Sequence, residues 1–263
     1  MLCGYREFDS RTGSDIYVYR PTPIPGDDEP EERTDALIRT YVAPWNKLLR
    51  RRFVLDTGIR FQPIRNTNDH FFSRMILLLA EKIEVVDKPY VNYRFNNQES
   101  LQGQISRHQL CYGTALTGFR EELIKRDMLH GALVEAYRLD VMITVDYHYS
   151  CESSLPGVRN FYEYTKALLD GIFPGADPRL FAGSVAGNIM ESADFAEFLW
   201  LEMERKKNER EKYVASTEEC LRQTEAYARG ILRSPSYRIG HAVTAPVRLL
   251  QKLTRHQKTD GTK

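Results

Sequence analysis

The chain has 263 residues, 42% of them hydrophobic and 28% charged, enough for one large domain or two modest ones with a buried core. Lys and Arg number 37 against 36 Asp and Glu, so no global field points to nucleic acid or an acidic polymer, and any electrostatic function is local. The widely spaced Cys3, Cys111, Cys151 and Cys220 form no CxxC pair, which argues against a zinc knuckle, a redox dithiol or a disulfide framework and fits a reducing, cytoplasmic home.

In chain order, "LCGYREF", the turn-forming "DSRTG" and the β-rich "DIYVYRP" predict a hairpin. The proline-rich, acidic "PTPIPGDDEPEE" predicts a solvated loop. From Arg33 the pattern turns helical, with Ala36, Leu37 and Tyr41 on one face before Pro44. "WNKLLRRRFVLDTG" predicts a short helix ending near Gly58. Phe71, Phe72, Met75, Ile76, Leu78 and Leu79 recur at helical spacing, predicting a helix from Asp69 to about Lys82. Two strands, "KIEVVD" and "YVNYRF", are expected next, separated by Lys88 and Pro89.

Beyond about Ile105 the composition becomes helical, and the domain expectation is 1–105, a helical region 106–233 and a tail 234–263. The tail carries six basic residues, Arg238, Arg248, Lys252, Arg255, Lys258 and Lys263, against Asp260, a net charge of +5. Interleaved Ile239, Val243, Val247, Leu249, Leu250 and Leu253 suit a segment lying on an anionic membrane surface, while Pro246 suits a frayed, solvated tail. The longest unbroken apolar run, Met75 to Ala80, falls far below the roughly 20 residues that span a bilayer, and no signal-peptide pattern opens the chain.

Asp69, after Thr67 and Asn68, has two compatible readings. It sits where a carboxylate caps a helix and gains from the dipole, an effect typically worth ~1 kcal/mol, and where a base can be held ionised. His70 is expected to be an exposed first-turn residue and Arg65 to hold the Asn66–Asp69 turn. "DVMITVDYH", ending in Asp146 and His148, reads as core rather than a metal site, and "GTALTG" followed by Phe119 and Arg120 is no P-loop.

Four segments in order, "WNKLLRR" (Trp45–Arg51), "RNTND" (Arg65–Asp69), "LLAEKI" with its following strand and "YRFNNQESLQG" (Tyr93–Gly103), resemble the C-terminal half of a family 2 glycosyltransferase of the inverting, nucleotide-sugar-dependent kind. The closing "SYRIGHAVTAPVR" is similar to tails on such enzymes. The fold this implies is α/β, a partial GT-A-like (nucleotide-diphospho-sugar transferase) domain followed by a mainly α-helical region.

By that resemblance Asp69 is the general base that takes the proton from an acceptor hydroxyl as it attacks the anomeric carbon, a role worth on the order of 10²- to 10⁴-fold in rate. Asn68 stands where Glu is common. Trp45, Asn46 and Lys47 fall on the acceptor side; Trp45 offers a sugar-stacking face or core packing. Arg94 either reaches a leaving diphosphate or faces solvent from a strand. The implied partners are a nucleotide-sugar donor and a glycan or lipid-linked acceptor, with no nucleic acid. The implied cofactor is a divalent cation, Mg or Mn, whose Asp-x-Asp motif does not precede Trp45; Asp27 and Asp28 sit in a loop with no strand before them. The expectation is therefore the acceptor-binding half of a transferase, cytoplasmic or peripheral at the inner membrane face, with an exposed sheet edge for its missing half to cover. The alternative is a non-catalytic helical binding or assembly module on this scaffold.

Overall fold

Asp9 closes the first turn by accepting from the backbone N–H groups of Arg11 and Thr12 at 2.7 and 3.0 Å, and the hairpin forms as its turn chemistry predicts. In the computed structural model, which describes residues 1–95 and 110–233, β1 (Leu2–Asp9) pairs antiparallel with β2 (Asp15–Tyr19). β1 also pairs in parallel with β3 (Val85–Phe95), giving a three-stranded sheet in the order β2-β1-β3. Where two strands are expected after Lys82, there is one. Pro89 lacks a donor, and the ladder absorbs it through register shifts around Gly4 at an edge strand, so the strand continues past it. Gly4 is required there: a Cβ would meet the Tyr19 carbonyl oxygen at 2.5 Å and the Lys88 carbonyl oxygen at 3.2 Å.

The connection from the hairpin back to β3 carries three helices. α1 (Pro30–Arg39) begins inside the expected loop, because Pro30 suits the first helical position and Glu31 and Glu32 suit the helix dipole. It ends before Tyr41, which lies in the loop beyond. Pro44–Asn46 forms a single 3-10 turn, and α2 (Arg51–Thr57) stops at Gly58, whose φ of 70° is left-handed. α3 (Asn68–Leu78) falls short of the expected Lys82 end.

α4 (Cys111–Lys125), α5 (Ala132–Ser150), α6 (Leu155–Ile172), α7 (Val185–Glu191) and α8 (Phe195–Arg233) complete the described chain. The chain is thus mixed α/β, a small sheet followed by a mainly helical region. The expected division near residue 105 does not divide the packing: Ile38, Ile59, Phe72, Met75 and Ile76 share one core with Tyr112, Leu116, Phe119, Val141, Phe161 and Phe198. Burying such side chains is worth roughly 1.5–3 kcal/mol each.

The chain falls into two units, Met1–Glu202 and Met203–Lys263. The described part of the second, residues 203–233, is helical, largely exposed over 203–227, and supported by i,i+3 and i,i+4 ion pairs such as Arg205–Glu209 and Arg229–Glu225. The "NNQESLQG" part of the fourth resemblance segment and the basic tail lie outside the described residues. Among the described residues, no helix is long and apolar enough to cross a membrane.

Candidate functional site

An aromatic cluster covers one face of the sheet. Tyr5 on β1 stacks on Tyr19 of β2 at 5.0 Å between ring centroids and meets Tyr41 at 4.9 Å and the edge of Trp45 at 5.0 Å. Trp45 in turn lies nearly parallel to Tyr93 of β3, 5.2 Å away at 11°. Trp45 packs against the sheet, and 37% of it stays exposed. Offset aromatic pairs of this kind are worth ~0.5–1.5 kcal/mol beyond their burial.

The loop carrying Trp45 is held from below. Asn46 is 1% exposed, and its amide donates to the Cys3 carbonyl at 3.2 Å while its oxygen accepts from Lys47 Nζ at 2.9 Å. Asn46 thus braces the loop that carries Trp45. Lys47 Nζ also donates to the carbonyls of Tyr41 and of Ala43, the latter at 2.8 Å. Burial and the nearby Arg74 cation pull Lys47 down to about 7, while the Asp69 charge pulls the other way.

Asp69 stands in the first turn of α3 and is partly buried. Its charge reaches Lys47 and the hydroxyls of Tyr41 and Tyr93, which burial raises above the usual phenol range and which nearby negative groups raise further. Among the described residues its carboxylate takes no hydrogen bond and no ion pair, so it does not cap α3. The N-cap position belongs to Thr67, whose side chain makes no cap hydrogen bond and whose backbone is left-handed, with φ 61° and ψ 13°. A β-branched residue in that region carries strain of order 1–3 kcal/mol. Asn66 Oδ1 accepts from the Thr67 N–H at 2.7 Å, and Thr67 Oγ1 lies 3.4 Å from His148 Nε2. Asn68, the first residue of α3, is partly buried beside Asp69, and Arg65 is exposed.

His70 is not the exposed residue its position suggests; it is 2% exposed. Its Nε2 lies 2.8 Å from Asp140 Oδ2. Arg74, one turn on, donates from Nε to Asp140 Oδ1 at 2.7 Å and from Nη1 to the Thr40 carbonyl at 2.7 Å. Burial alone would raise the Asp140 carboxyl; Arg74 and His70 outweigh it and hold the group below the usual carboxylate range. Burial, then His70, lowers His148 to about 4, so it is neutral near pH 7. One face of "DVMITVDYH" is core: Val141, Val145 and His148 are buried, while Ile143 and Tyr147 are exposed, and Asp146 accepts from the Val185 N–H at 2.7 Å.

Arg94 does not join this group. In register, Glu7 faces Tyr93 and Phe8 faces Arg94, so strand alternation puts Arg94 on the opposite sheet face from Tyr93, where it is exposed. Among the described residues no three His, Cys, Asp or Glu side chains converge as a cation site.

Tyr93, Arg74, Asp140 and Glu7 escaped the sequence reading, and Tyr41, expected on a helix face, lies instead beside Trp45 and Lys47. Asp140 carries the signal that was there to find, an acid in an otherwise apolar helix segment that demands a partner. No family model, curated protein or solved structure matches this chain.

Proposed function

We propose that the chain is an inverting sugar transferase, or the acceptor-side portion of one, with a GT-A-like fold. It moves a hexose from a nucleoside diphosphate to a glycan or lipid-linked acceptor, with Asp69 as general base. The observation that carries the reading is the Asp69 carboxylate itself. It is partly buried, without a hydrogen-bond or ion-pair partner among the described residues, and its charge acts on Tyr41, Lys47 and Tyr93. A carboxylate left without a donor costs stability unless a ligand supplies one, and an acceptor hydroxyl is such a donor. The partly exposed Trp45 beside it offers the apolar face a sugar ring needs. In this reading the divalent cation binds the donor diphosphate through groups outside the described residues, and the basic tail rests on the inner face of a membrane.

The test is incubation of the protein with uridine-, guanosine- and thymidine-diphosphate sugars, Mg²⁺ or Mn²⁺, and methyl glycoside acceptors, with the product's anomeric configuration read by ¹H NMR. Inverted product supports the reading. Retained configuration sinks it, as does failure of every nucleotide sugar and every acceptor glycoside to bind the chain.

A further inference from the structure

Glu7 lies in the middle of β1 with a tyrosine directly opposite it on each side, Tyr17 of β2 and Tyr93 of β3. A partly buried carboxylate in that row is out of place on packing grounds, since aromatic neighbours offer it little solvation. Nor does the protein satisfy it. Among the described residues Glu7 takes no hydrogen bond and no ion pair, whereas Arg6, its neighbour on the other face, reaches Asn92 at 3.1 Å and Asp15 at 3.6 Å.

The backbone is also adjusted at this point. The β1–β2 register shifts between Glu7 and Phe8, leaving Ile16 as the extra residue of a bulge. Bulges re-aim neighbouring side chains and collect beside binding sites. Glu7 lies beside Tyr93 in the β1–β3 ladder, and its charge, like that of Asp69 on α3, acts on the two phenols of Tyr41 and Tyr93. Trp45 is stacked on Tyr93.

We propose that Glu7 accepts hydrogen bonds from ring hydroxyls of a pyranoside seated on the Trp45–Tyr93 stack, which makes β1 a specificity-determining edge of the acceptor site. The inference rests on the acceptor-side reading of Asp69 and adds the substrate class: a sugar ring presenting at least two hydroxyls, one toward Asp69 and a second toward Glu7. An ionised carboxylate only accepts, so the group it selects must be a donor, and an equatorial or axial hydroxyl at that one ring position is what it distinguishes. Burial raises the Glu7 carboxyl above its ordinary value, consistent with a group awaiting a donor.

The experiment is saturation-transfer NMR on the full chain, with the methyl pyranosides of glucose, galactose, mannose and N-acetylglucosamine and their monodeoxy derivatives as probes. At least one glycoside should bind the wild type, and Glu7→Gln should weaken it about tenfold, as a charged acceptor gives way to a neutral one. One monodeoxy probe should show the same loss with the wild type and no further loss with Glu7→Gln, so the contact is also read without altering the protein. Binding unchanged in Glu7→Gln at an unchanged thermal midpoint overturns the inference, as does the absence of binding by every probe. No donor or turnover enters this measurement, so its failure is distinct from failure of the transferase assay.

Discussion

Arg74 and Asp140 form a fully buried pair, 2.7 Å from Nε to Oδ1, that ties the helix carrying Asp69 to α5. Through its second donor Arg74 also holds the Thr40 carbonyl, one residue before Tyr41. One guanidinium thus fixes the loop of Trp45 and Lys47 against the helix of Asp69. Buried pairs add little net stability when intact, because desolvation offsets the attraction, but removing one partner strands the other.

Asp140→Asn is therefore expected to destabilise the fold by roughly 3–5 kcal/mol, leaving Arg74 and His70 buried beside a neutral amide. Urea unfolding followed by circular dichroism measures it. A loss below about 1 kcal/mol would mean that the pair is solvated in solution.

Acid should weaken the protein in two stages. His148 is lowered from 6.5 to about 4 in the fold, so between those values the unfolded chain binds the extra proton and stability falls as pH drops, by about 3 kcal/mol across the window. Asp140, held below 3.8, then contributes a second loss as pH falls through its lowered value. His148→Gln should abolish the first stage and keep the second. Stability that is level from pH 7 to 4.5 in the wild type contradicts this.

Lys47 and Asp69 should be electrostatically coupled. With ¹³C-methylated lysines followed by NMR, Lys47 should titrate at about 7, well apart from the other lysines. Since the Asp69 charge favours the ammonium, Asp69→Asn should move the Lys47 titration lower still. An unmoved or raised titration would mean that the two groups do not share a site.

Much of this arrangement was local enough to read. The Asp9–Gly13 turn, the stop of α2 at Gly58 and the position of Asp69 at a helix start follow from residue chemistry within a few positions. What escaped depends on partners far apart in sequence. His70 looks like any polar first-turn residue until Asp140, 70 positions on, is packed against it. The aromatic platform joins Tyr5, Tyr19, Tyr41, Trp45 and Tyr93 through strand pairing that no period reveals. Continuity of β3 through Pro89 depended on an edge position and on Gly4 opposite it, both properties of the sheet rather than of the segment. The alternation that separates Arg94 from Tyr93 was already legible, since neighbouring strand residues face opposite ways.

The most direct test of the central claim is the rate of sugar transfer by the wild type against Asp69→Asn, with thermal unfolding measured on both. If Asp69 is the base, the variant should lose on the order of 10²- to 10⁴-fold in kcat while its midpoint stays within a few degrees, because the carboxylate neither caps α3 nor joins the buried ion pair. Transfer by Asp69→Asn within about threefold of the wild type, in a folded protein, would contradict the assignment.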